Sequence, residues 1–179
     1  MPPPATPEAY ISLGANLGDR EENLLRALKA LEGDGVHLHR LSGIYETEPV
    51  GVTHQPDYLN MTAGITTMLP PLLLLARLLG IEEMLGRVRR EHWGARTIDL
   101  DLLCYDDLTW QDEKLILPHP RLHERRFVLV PLAEIAAAYR VAGLNATVQE
   151  LLQGCQDSHA VRLYSSAQKV QRRMRKAQA

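Results

Sequence analysis

The stretch Thr97-Ile98-Asp99-Leu100-Asp101-Leu102-Leu103 admits few folds. Successive side chains on a strand point to opposite faces, and residues two apart share one. Read as a strand, the stretch turns Ile98, Leu100 and Leu102 into a core and aims Asp99 and Asp101 together on the other face. Two carboxylates about 5 Å apart repel by about 3 kcal/mol at an effective dielectric near 20. A cation between them removes that cost, and Mg²⁺ is the usual hard cation for carboxylates that face phosphates. A solvated strand face can carry the same pattern, and D-x-D also occurs in glycosyltransferases and nucleotidyltransferases. The surroundings must choose the chemistry.

A chain of 179 residues suffices for one domain with a substantial core. A net charge of -2 provides no global attraction to nucleic acid or membrane. The basic residues are nonetheless clustered: Arg87, Arg89, Arg90 and Arg96 flank the aspartates, Arg121, Arg125 and Arg126 follow, and a basic run lies between Lys169 and Lys176. Two cysteines, Cys104 and Cys155, with no pattern to pair them, favour a reduced, cytoplasmic setting. Met1-Pro2-Pro3-Pro4 lacks the order of a signal peptide. The apolar run from Leu72 to Leu79 is broken by Arg77 and is too short to span a bilayer.

Strand and helix patterns interleave. Tyr10 to Gly14 reads as a first strand, and Asp19 with Glu22 as a capping-box-like start for a helix whose stripe is Leu24, Leu25, Leu28 and Leu31. Val36 to Tyr45 reads as a second strand and Tyr58 to Met68 as a third. Pro70-Pro71 opens a leucine-rich helix running to about Leu85. Thr97 to Tyr105 is the aspartate strand, Phe127 to Ala138 a helix that contains Pro131, and Thr147 with Glu150 a capping box. Ala160 to Tyr164 is a candidate last strand. These elements predict an α+β fold, an antiparallel sheet with helices packed on it. The expected organisation is a disordered segment 1–8, a single domain 9–165 and a basic tail 166–179, read as a solvated, fraying helix.

Three segments are dense in site chemistry. Gly86 to Arg96 carries four arginines, His92 and Trp93 between glycines that allow it to swing. Arginine's planar fork suits phosphate oxygens, and phosphoryl transfer draws most of its catalysis from positioning and charge neutralisation. Pro118 to Phe127 brings His119, His123, Arg121, Arg125 and Arg126, which could wrap a polyphosphate. No cysteine or third histidine accompanies these histidines at zinc-like spacing. Gln55 to Asn60 offers Asn60, whose amide suits the edge of a heterocycle, beside Tyr58, which like Phe127 can stack on a ring.

Leu13 to Gly18, Thr47 to Gly51, Gln55 to Asn60, Gly86 to Arg89, Trp93 to Leu103 and Pro118 to Phe127, in that order, closely resemble the 6-hydroxymethyl-7,8-dihydropterin pyrophosphokinase family of folate biosynthesis. The likeness covers roughly Tyr10 to Tyr139. It implies a ferredoxin-like fold and transfer of pyrophosphate from ATP to the pterin hydroxymethyl group, with release of AMP. It implies two Mg²⁺ ions held by Asp99 and Asp101, and catalytic-loop arginines at Arg87 and Arg96. Glu82, Lys114, His119 and Arg125, with those two arginines, would bind ATP. Thr47, Val50, Tyr58, Asn60, Trp93 and Phe127 would line the pterin slot. Neither nucleic acid nor membrane is an expected partner.

The chain departs from the family in two places. Ala95 stands where the family usually has proline, which frees a φ angle and predicts a more mobile loop. His92 stands where a basic residue often precedes the tryptophan, which makes its charge dependent on pH. Two rival readings are a non-catalytic ferredoxin-like RNA-binding module and a different Mg²⁺ enzyme such as a nucleotidyltransferase. Near-zero net charge and the lack of an aromatic RNA-binding motif oppose the first. Released AMP against released pyrophosphate separates the second.

Overall fold

The computed structural model describes residues 6–49, 54–86 and 97–176. Val50, Arg87, Arg89, Arg90, His92, Trp93, Ala95 and Arg96, and the expectations attached to them, lie outside the described residues. Helix and antiparallel strand alternate in the order β1 (Glu8–Ala15), α1 (Arg20–Leu31), β2 (Val36–Leu41), β3 (Ile44–Thr47), β4 (Tyr58–Thr67), α2 (Pro71–Met84) and β5 (Asp99–Tyr105). Then come a small hairpin of β6 (Trp110–Gln111) and β7 (Ile116–Leu117), α3 (Arg126–Ala136), a second small hairpin of β8 (Arg140–Val141) and β9 (Ala146–Thr147), α4 (Val148–Gly154), β10 (Val161–Ser165) and α5 (Ala167–Lys176).

The main sheet runs β10-β3-β4-β1-β5, with β2 also paired to β4. Taking β2 and β3 as one broken strand, this is the βαββαβ order of a ferredoxin-like fold, with β1 and β4 central. Alternation divides the sheet into two faces. Ala9, Ile11, Leu13 and Ala15 of β1, Leu59, Met61, Ala63 and Ile65 of β4, and Leu100 and Leu102 of β5 join α1 and α2 in one apolar core. On the other face Tyr10, Leu103 and Cys104 pack under α3 and α4 with Leu122, Leu129 and Leu132. That face is covered along only part of its length. Farther along the same strands its positions become Ser12, Gly14, Asn60, Asp99 and Asp101, and they line a cleft.

Local sequence sets the helix starts. The Asp19 carboxylate accepts from the Glu22 backbone N–H at 3.0 Å, the cap that begins α1. At α4 both halves of the capping box form: Thr147 Oγ1 accepts from Glu150 N, and the Glu150 carboxylate accepts from Thr147 N at 2.7 Å. Pro131 sits one turn inside α3, where the helix forgoes one hydrogen bond and continues to Ala136. No described helix is long and apolar enough to cross a membrane.

Three expectations change. The second strand is broken at Ser42-Gly43 into β2 and β3: between the pairs Leu41↔Ala63 and Tyr45↔Asn60 it carries one residue more than β4, and a Cβ on Gly43 would lie 2.9 Å from the Ser165 carbonyl oxygen of β10. The first strand starts at Glu8, the last residue of the segment expected to be disordered, and Pro7 O already accepts from Thr67 N. The basic tail is a docked helix. Val170 and Met174, one turn apart on α5, are buried in the α1–α2 core, and Arg173 bridges Glu21 at 2.6 Å and Glu22 at 3.4 Å. The dense charge of this segment conceals a two-residue apolar stripe.

Candidate active site

Register across three strands builds the site. Gly14 of β1 pairs with Asn60 on one side and with Asp99 on the other, so Asn60, Gly14 and Asp99 form a row on one face. Ser12 likewise stands between Thr62 and Asp101 one step along. Gly14 is required where it is: a Cβ there would meet Asn60 Oδ1 at 2.9 Å. A bare floor thus separates an amide at one end from two carboxylates at the other. The cleft over it has a volume of about 660 Å³.

At the acidic end, Asp99 and Asp101 share the open face while Leu100 between them is buried, as the alternation predicts. Glu82 on α2, 2 % exposed, accepts from the Leu100 backbone N–H at 2.7 Å. Because β5 is an edge strand, that bond occupies a donor with no further strand to meet, and it fixes the backbone between the two aspartates. Among the described residues no three His, Cys, Asp or Glu side chains converge as a metal cage. Two carboxylate oxygens are nevertheless what Mg²⁺ commonly takes from a protein, the remaining positions going to phosphate and water.

Arg125 and His119 come to this end from the segment after β7. His119 N donates to Leu103 O at 2.8 Å, which anchors the segment against β5, and a single 3-10 turn at Leu122–Glu124 leads into α3. Burial, and next the Arg125 charge, push the His119 imidazole down to about 4. The ring is therefore neutral at pH 7. Its Nδ1 accepts from Arg121 N at 3.2 Å, so Nε2 carries the proton and is a donor. Arg125 lies with its guanidinium 5.7 Å from the Phe127 ring centre. Burial and the Arg121 charge pull the Arg125 pKa below its ordinary value, against the support of Asp101 and Asp99.

At the amide end Asn60 Nδ2 donates to Thr47 Oγ1 at 2.7 Å, and both side chains are buried. The bond orients the amide, with Oδ1 over Gly14. Tyr58 and Phe127 also line the cleft. Asn16 donates to Gln55 Oε1 and to Pro56 O, each at 3.2 Å, and ties the end of β1 to the chain entering β4. Across the mouth, Asp112 Oδ1 accepts from Lys114 N and Leu115 N at 2.8 Å, and its Oδ2 accepts from Trp110 Nε1. That turn presents Lys114 to the cleft.

Glu82, Asp99, Asp101, Lys114, His119 and Arg125 therefore line one cavity with Thr47, Tyr58, Asn60 and Phe127. Val50, Arg87, Trp93 and Arg96 lie outside the described residues. Among the lining residues that the sequence reading did not assign to the site are Ser12, Gly14, Asp157 and His159. Gly14 has no side chain to advertise it, although it sits in a Gly-Ala-Asn motif. Asp157 and His159 lie far along the chain and carry no local signal.

A model of the family described as 7,8-dihydro-6-hydroxymethylpterin-pyrophosphokinase matches residues 10–137. The 2-amino-4-hydroxy-6-hydroxymethyldihydropteridine pyrophosphokinase of Bacillus subtilis (strain 168) is 49% identical over 128 residues, which are 71% of this chain and 77% of that protein. The protein of the same name from Haemophilus influenzae is 48% identical over 130 residues, 72% of this chain and 81% of its own length. The crystal structure of wild-type Plasmodium falciparum HPPK-DHPS with pteroate shares the fold at a TM-score of 0.68 and 18% identity. It is matched over 84% of this chain and 42% of its own.

Proposed function

The chain belongs to the 7,8-dihydro-6-hydroxymethylpterin-pyrophosphokinase family, and from that premise we propose how its own residues carry out the family's reaction. ATP and 6-hydroxymethyl-7,8-dihydropterin occupy the cleft together. The pterin hydroxyl oxygen bonds to the β-phosphorus of ATP, the bond from that phosphorus to the α–β bridging oxygen breaks, and the hydroxyl proton is lost. The products are AMP and the pterin diphosphate.

The observation that carries this reading is the Asn60–Gly14–Asp99 row. Two strand spacings separate its ends by about 10 Å, a span that a bicyclic ring with a one-carbon arm bridges. The ring lies over the bare Gly14 floor, with Asn60 Oδ1 accepting from its pyrimidine edge and Tyr58 and Phe127 beside it. The arm then ends at Asp99 and Asp101. These two carboxylates would hold two Mg²⁺ ions, which when bound neutralise charge on the ATP phosphates. His119 donates through Nε2–H to a phosphate oxygen, and Arg125 and Lys114 add positive charge. Glu82 keeps the two aspartates in place through Leu100. By their place in the family pattern, Arg87 and Arg96 supply further charge to the transferring group, and Val50 and Trp93 belong to the pterin site. We place the reaction in the cytoplasm, with no nucleic-acid or membrane partner.

The test is AMP release from ATP and Mg²⁺ with and without the pterin. Pterin-dependent AMP with a pyrophosphorylated pterin is the expected result. Released pyrophosphate in place of AMP would identify a nucleotidyl transfer and overturn the reading.

A further inference from the structure

The cleft has a wall that comes from beyond the matched region. The family model ends at residue 137, yet Asp157 and His159 line the same cavity as Asn60 and Asp99. β10 pairs with β3 in the register Val161↔Thr47, so the residues just before Val161 run alongside Glu48 and Pro49, which also line the cleft. His159 therefore stands at the amide end, between Thr47 and the start of α3 that carries Phe127.

Its ring is held. The Asp157 side chain is 11% exposed, and one oxygen accepts from Arg126 N at 2.9 Å, the first backbone donor of α3. The other accepts from His159 N at 3.0 Å and pairs with His159 Nδ1. Burial works against the Asp157 charge, and these hydrogen bonds overcome it, holding the carboxyl below its ordinary value. An ionised carboxylate only accepts, so His159 Nδ1 carries a proton, and in the neutral ring Nε2 is then the acceptor. The same aspartate thus orients α3, with Phe127 on its first turn, and the imidazole beside it.

We propose that His159 is a specificity-determining residue for the pterin, its Nε2 accepting a hydrogen bond from an N–H of the pterin ring, with Asp157 as the positioning residue that sets its tautomer. The inference rests on the pterin reading of the cleft. It makes the C-terminal segment part of the substrate site and gives the ring a second acceptor at the amide end.

The test measures three quantities on the full chain: affinity for the pterin in the presence of a non-hydrolysable ATP analogue, affinity for that analogue alone, and the melting temperature. His159→Ala and His159→Phe should each weaken pterin binding about tenfold, the scale of one lost hydrogen bond that leaves a polar group unpaired. His159→Gln, whose amide oxygen can accept, should recover most of that loss. Nucleotide affinity and melting temperature should stay at the wild-type values in all three. Pterin affinity within twofold of wild type in the alanine and phenylalanine variants would overturn the proposal. So would a joint fall in nucleotide affinity and melting temperature, which would reduce the pair to a cap on α3. A wild-type chain that binds the nucleotide but no pterin would overturn the pterin reading itself, and this proposal with it.

Discussion

The two faces of one sheet are put to opposite uses. On the face toward α1 and α2, the inward positions from Ala9 to Ala15 of β1 and from Leu59 to Ile65 of β4 are apolar and buried. On the other face the same strands begin with Tyr10 under α3 and then run out to Ser12, Gly14, Asn60 and Asp99 in an open cleft. The first face excludes water over its whole length and supplies stability. The second gives up packing where it meets substrate. A period of two lets one strand serve both, since neighbouring residues never compete for the same surface. Rigidity on one side is what holds Asn60 and Asp99 at a constant spacing on the other.

The largest break in this comparison is expected at the acidic end. Asp99→Ala and Asp101→Ala should each lower kcat by about 10³-fold or more, while the melting temperature changes little, because each carboxylate both repels its neighbour and supports the Arg125 charge. A steady-state AMP assay beside a melting curve reads both. The reverse break belongs to the apolar face. Leu28→Ala, fully buried on α1, should cost about 2–5 kcal/mol of unfolding free energy. Substrate affinities of the folded fraction should not change, and denaturant titration with ligand binding would show a selective loss of affinity if the faces were not separable.

Gly14→Ala is a smaller and sharper perturbation. The added methyl meets Asn60 Oδ1 at 2.9 Å and must turn the amide off its bond to Thr47. Overpacking of this kind costs about 1–3 kcal/mol, and here it should appear as roughly a tenfold loss of pterin affinity with nucleotide affinity retained. Equal loss of both ligands would place the pterin elsewhere.

The smallest effect concerns His119. Burial lowers its folded-state pKa from 6.5 to about 4. Between those values the unfolded chain binds the proton and the folded chain does not, so stability rises with pH across that window and falls as pH drops from about 6.5 toward 4. Partial exposure keeps the effect modest. His119→Gln should flatten that part of the melting-temperature profile, and an unchanged slope would mean the ring is not desolvated.

Much of this was legible along the chain. The alternation of Ile98, Leu100 and Leu102 with Asp99 and Asp101 is a local property, and so are the cap at Asp19 and the capping box at Thr147 and Glu150. The dense polar motifs at Asn60, His119 and Arg125 also come together as their chemistry suggests. The break at Ser42-Gly43 was not legible, because it is an extra residue in the pairing with β4, and the carbonyl that leaves no room for a Cβ at Gly43 belongs to β10, more than a hundred residues away. Nor was the docking of α5, whose Val170 and Met174 are outnumbered by charges.

What the sequence determined by itself was the α+β class, the two-faced character of the strands and the kind of chemistry the polar face carries. Each is set by a period, a cap or a residue type, and these act between neighbours in the chain. Only the tertiary structure decided that Gly14 lies between Asn60 and Asp99, that Glu82 holds Leu100 between the aspartates, and that Asp157 and His159 return to close the cleft. Those are matters of register and of chain return, and a contact between distant residues is selected by the packing of the whole sheet, which no short stretch of sequence contains.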